Sequence, residues 1–158
     1  MGEKYKLAIR VGIIGGILTT IPMVLFLFVN LISYNVGVLL FVLSFSSLIF
    51  SIVVPLGSGL LVVYYTRPLL HDAMDAAKLS GSAGAINGIT FGVVLSMVSL
   101  VWPYLGALSP NSHMVFGVAS SPVYIPLYIA FCAAMNSFIA IIGGIAYTIS
   151  KIHVKLAE

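Results

Sequence analysis

Four runs of apolar residues, each nearly free of charge, leave this chain very few ways to fold. They lie near 11–33, 36–65, 83–108 and 123–150. A helix needs about 20 apolar residues to cross the hydrocarbon core, where every backbone N–H and C=O must find its partner inside the segment. The remaining composition offers no alternative, because 7% of the 158 residues are charged and mean hydropathy is +1.18. An ordinary globular domain carries about 25% charged residues, so too few remain here to clothe a water-facing surface. The sequence therefore predicts an all-α integral membrane protein, a four-transmembrane-helix bundle forming one domain over 1–158.

The opening "MGEKYKLAIR" precedes an apolar run longer than the 7–15 residues of a signal-peptide core, and no A-x-A-like site follows. A retained first helix is expected. Lys6 also breaks the myristoylation pattern. The single cysteine, Cys132, excludes an internal disulfide and any multi-cysteine metal site.

Charge sets the expected orientation. Lys4, Lys6, Arg10, Arg67, Lys78, Lys151 and Lys155 fall in the N-terminus, the connection between spans two and three, and the C-terminus. Segments 33–36 and 108–122 carry no Asp, Glu, Lys or Arg. Basic residues favour the cytoplasmic side, so both termini are expected there, in a membrane of prokaryotic cell type. Tyrosines agree: Tyr5, Tyr64, Tyr65 and Tyr147 fall near the inner ends, with Tyr34, Tyr104, Tyr124, Tyr128 and Trp102 near the outer ones. Their amphipathic rings favour the headgroup level. The net charge of +3 thus reads as a topology signal, with no nucleic-acid partner expected.

The outer turn "SYN" is tight, while the outer loop "SPNSHMVFGVASSP" is longer and partly apolar. It is read as a loop resting on the bilayer, with Met114, Val115 and Phe116 offering contact to the interface or a partner. The inner connection "TRPLLHDAMDAAKLSG" reads as a short amphipathic helix over 68–80. Pro68 suits its first turn, Gly81 suits its end, and Leu70, Ala73, Met74 and Ala77 share one face at i, i+3, i+4, i+7 spacing.

Small residues recur on every span. Gly84-xxx-Gly88-xxx-Gly92 follows Gly81 in span three, and Gly12-xxx-Gly16-xxx-Thr20 marks span one. Span two carries Ser44, Ser47, Ser51, Pro55 and Gly59; span four carries Ala133, Ser137, Ala140 and Gly144. Lipid tails are as apolar as leucine, so membrane helices associate where small residues let their backbones approach. Close packing at Gly12, Gly16, Gly59, Gly84, Gly88, Gly92, Ser137 and Gly144 is expected, within the chain or between copies. No lysine follows the glycines of span three, so a phosphate-binding loop is not read there. Spans two and four both end in glycine and tyrosine, "GSGLLVVYYTR" and "GGIAYTISK". Two hairpins related by an axis along the membrane normal would produce this echo, as would chance in so hydrophobic a chain.

Chemistry-bearing residues are sparse inside the spans. His71, His113 and His153 lie in connections or tail, so no haem, metal or other cofactor is expected. No Asp, Glu, His, Lys or Arg is central enough for proton-coupled transport. The intramembrane amides Asn30, Asn87 and Asn136 are expected to bond neighbouring helices, with Asn87 and Asn136 as candidates for a polar path. Pro22 and Pro55 are interior enough to kink their helices. The expected function is a non-catalytic accessory or scaffold subunit, with the lipid bilayer and other membrane subunits or copies of itself as partners. An oligomeric channel or transporter for a small solute is the alternative. A lipid-acting enzyme using His71, Asp72 and Asp75 is the third.

Overall fold

The computed structural model describes residues 2–32, 37–70, 72–106 and 124–157, with the side chains of 30–32, 37, 40, 69, 102–106 and 151–157 excepted. The described residues form helices α1 (Glu3–Ile32), α2 (Gly37–Thr66), α3 (Ala73–Gly106) and α4 (Tyr124–Ala157), with one 3-10 turn at Arg67–Leu69. All four helices contain a segment long and apolar enough to cross a membrane: Glu3–Val29, Phe41–Thr66, Ala73–Val101 and Tyr124–Ser150. Helices of this length extend about 45–50 Å, beyond the hydrocarbon core of about 30 Å. Their β-branched residues do not break them, because in lipid no water competes for the backbone groups.

The close approaches fix the directions. Gly12 of α1 lies against Ala83 and Ile86, and Gly16 against Asn87 and Thr90, so α1 and α3 run parallel. Gly81 meets Ser137 and Ile141 while Gly92 meets Ile129, so α3 and α4 are antiparallel. Gly15 meets Ser58, and the Ser47 hydroxyl reaches Met23 Sδ at 3.6 Å, making α1 and α2 antiparallel as well. Around the bundle the order is α1, α2, α4, α3, and α2 also touches α3 across the middle.

The remaining pair, α2 and α4, is therefore parallel, and its contact is reciprocal. Gly59 lies on the main chain of Ala140, and Gly143 lies on the main chain of Leu56. Each glycine meets the carbonyl one turn before the other, as at a local twofold between parallel helices crossing at small residues. The repeated glycine–tyrosine ends thus come together in space. Tyr64 and Tyr147 complete the contact edge to face, with ring centroids 5.8 Å apart.

Two sequence expectations change. Residues 68–80 do not make a separate helix, because α3 starts at Ala73 and runs unbroken through Gly81. Pro68 sits in the 3-10 turn instead. The Asp72 carboxylate accepts the Asp75 N–H at 2.7 Å, capping a helix whose glycines at 81, 84, 88 and 92 lie against neighbours. The expected face is also wrong: Met74 and Ala73 are exposed, and Ala76, Leu79, Ser80 and Ala83 are buried. The packing of α1 and α2 selects that face, and Ala8, Val62, Leu79 and Ala83 form one apolar cluster there. Leu95, within the apolar run of span three, is buried among the helices, at 3% exposed. Pro22 and Pro55 both lie buried within continuous helices. The outer loop, the "SYN" turn, His71 and His113 lie outside the described residues.

Candidate functional site

The small residues do their work through contact. Among the described residues no backbone φ is positive, so none of these glycines supplies a left-handed turn. What each supplies is the space of a missing Cβ. At Gly88 a Cβ would overlap the Cys132 carbonyl and lie 2.6 Å from Ala133 Cα. At Gly84 it would overlap the Asn136 carbonyl, and at Gly59 the Ala140 carbonyl. Gly92 is looser, where a Cβ would stand 3.1 Å from Ile129 Cα, and at Gly144 it would stand 2.6 Å from Ser80 Oγ. Ser137 adds an interhelical hydrogen bond, donating to the Gly81 carbonyl at 3.0 Å.

Gly15 and Gly143 complete this set, although their places in the sequence offer no i+4 stripe. Their signal is the doublets Gly15-Gly16 and Gly143-Gly144. Neighbouring helix positions point about 100° apart, so a doublet lets two helices approach one level. Gly15 accordingly faces Ser58 and Asn87, while Gly16 faces Thr90. Gly143 faces Leu56 of α2, while Gly144 faces Ser80 of α3.

Within this tightly packed interior lie the two candidate amides. Asn136 donates to the Cys132 carbonyl of its own helix at 2.8 Å, rather than to another helix as expected, and its Oδ1 has no protein partner. Asn87, near the middle of α3's apolar segment, is fully buried and neither amide atom has a protein partner. A buried amide without hydrogen bonds costs about 2–7 kcal/mol depending on the reference solvent. The buried hydroxyls of the core do not discharge that cost, because they bond back into their own helices. Thr19 donates to the Gly15 carbonyl, Thr20 to Gly16, Ser58 to Val54 and Ser80 to Ala76. The two amides and the glycines therefore occupy one core, and the polar demand concentrates at Asn87. The side chain of Asn30 lies outside the described residues.

The carboxylates Asp72 and Asp75 have local structural partners. Asp72 caps α3, and Asp75 pairs with Lys4 at 3.5 Å, joining the starts of α1 and α3. Among the described residues no three His, Cys, Asp or Glu side chains gather as a metal site. Compared with protein-family models, characterised proteins and solved structures, the chain matches none.

Proposed function

We propose that this chain is a non-catalytic multi-pass membrane protein acting as an accessory or scaffold subunit, with both termini on the cytoplasmic side of a prokaryotic cell membrane. Its partners are other membrane subunits or copies of itself, met through the outer helix faces. One contrast among the glycines supports this reading. Those at 12, 16, 59, 84, 88, 92 and 144 lie against neighbouring helices of the same chain, whereas nothing lies within 4 Å of a Cβ placed on Gly57. Gly57 thus notches the outward face of α2 between the exposed side chains of Val53 and Leu61. Small residues on an apolar face admit a second helix closely. Native mass measurement in mild detergent tests the proposal. An assembly larger than one chain is expected, and Gly57→Leu should weaken it while leaving the bundle folded. A single chain under all mild conditions would overturn it.

A second reading, an oligomeric channel or transporter for a small solute, is favoured by the unpartnered amide of Asn87 in an uncharged core. Its test is flux in liposomes. Permeation abolished by Asn87→Leu or Asn136→Leu, with folding intact, would replace the scaffold reading.

A further inference from the structure

The Asn87 amide presents two N–H donors and one carbonyl acceptor, all without a protein partner, at a fully buried position. Beside it stands Ser58, whose hydroxyl proton goes to the Val54 carbonyl at 2.8 Å, leaving the oxygen lone pairs free to accept. Both groups meet at the same glycine. A Cβ placed on Gly15 would lie 2.6 Å from Ser58 Oγ and 2.7 Å from Asn87 Nδ2. The two atoms are thus separated by no more than the sum of those distances, yet they form no direct hydrogen bond. One water molecule bridges groups at that range. Exchanging the amide nitrogen and oxygen changes nothing in this reasoning, since both atoms are unpartnered.

We propose that Asn87 and Ser58, which meet beside Gly15, form a hydration site that holds a water molecule at the centre of the bundle. The chemistry of the groups selects an uncharged ligand that both donates and accepts. A cation would satisfy Oδ1 and leave the amide N–H groups facing it; an anion would do the reverse. Neither would find a counter-charge, because no Asp, Glu, Lys or Arg occurs between 11 and 66 or between 79 and 150. Water needs two to four polar partners in such a place, and the two amide atoms with Ser58 Oγ supply three. The site stands under either functional reading, because it concerns resident water and not flux.

Nuclear magnetic resonance of the full chain in lipid nanodiscs, with its asparagine side-chain amides labelled with nitrogen-15, tests the proposal. Asn87→Leu identifies the signal by its loss. In the unsubstituted protein the Asn87 amide protons should show a nuclear Overhauser cross-peak at the water frequency. Ser58→Ala, which removes the acceptor without adding bulk, should weaken that cross-peak and leave the Asn136 signals in place. Gly15→Ala should abolish it, because the new methyl would press on both groups; if that variant does not fold, Ser58→Ala decides. An Asn87 amide with no water cross-peak in the folded protein would overturn the site. So would a cross-peak unaffected by Ser58→Ala, or an Asn87→Leu variant more stable than the parent, which would mark the amide as an orphan relieved by removal.

Discussion

Gly88→Ala places one methyl group where α3 and α4 touch through their backbones. The new Cβ would overlap the Cys132 carbonyl and stand 2.6 Å from Ala133 Cα. Ordinary carbon contacts lie at about 3.5–4.0 Å, so the two helices must part locally by about 1 Å, a gap that already forfeits about a quarter to a half of each contact's attraction. Overpacking a core costs about 1–3 kcal/mol. Main chain cannot rotate away as a side-chain tip can, so a loss of about 3 kcal/mol is expected, or about a hundredfold in the folded-to-unfolded ratio. Gly57→Ala is the control, because nothing lies within 4 Å of its Cβ; a change within about 0.5 kcal/mol is expected. Unfolding in mixed micelles titrated with dodecyl sulfate measures both variants. The buried thiol of Cys132 provides a second readout at the same contact, and it should label faster in Gly88→Ala. Equal stabilities and equal labelling rates for the two variants would refute close packing of α3 on α4 at this glycine.

Leu95→Ala should destabilise by about 2 kcal/mol, the low end for a buried leucine, because lipid removes most of the transfer term and leaves the cavity. Met97→Ala, at a side chain 62% exposed, should be nearly neutral in the same titration. Asp72→Ala removes the cap of α3 at a cost of about 1 kcal/mol, read as faster hydrogen exchange at the first turn from Ala73. For sidedness, Ser112→Cys should be labelled from outside intact cells by an impermeant thiol reagent, and Lys78→Cys should not, each in a Cys132→Ala background. Lys78 serves because it is exposed, whereas Ser80 is fully buried; the opposite pattern would reverse the topology.

The four long helices were legible because the bilayer imposes one requirement on every residue of a span: backbone groups must pair within the segment. That requirement is local, and the apolar runs at 11–33, 36–65, 83–108 and 123–150 met it on their own. Charges at Lys4, Arg67 and Lys151 give only an expected orientation, which rests on their segregation and not on packing. The glycine stripe from Gly84 to Gly92 identified a close-packed face because a missing Cβ has the same consequence on any neighbour.

Which neighbour it would be was a matter for the tertiary structure. The i+4 spacing names a face of one helix and leaves its partner unspecified, so Gly16 found Thr90 and Gly59 found Ala140 only when four helices had been arranged together. The same arrangement carried α3 straight through Gly81, since the glycine's small size served contact with Ser137 and Ile141 rather than a helix stop. It also buried Leu95 and turned Met74 outward, exchanges that hydrophobicity cannot foresee where lipid and protein interior are equally apolar. Asn87 shows the limit most plainly. Its sequence position announces a polar group at mid-span, but its lack of a protein partner depends on Ser58 bonding to Val54 and on the close approach of α1 at Gly15, two features of other helices.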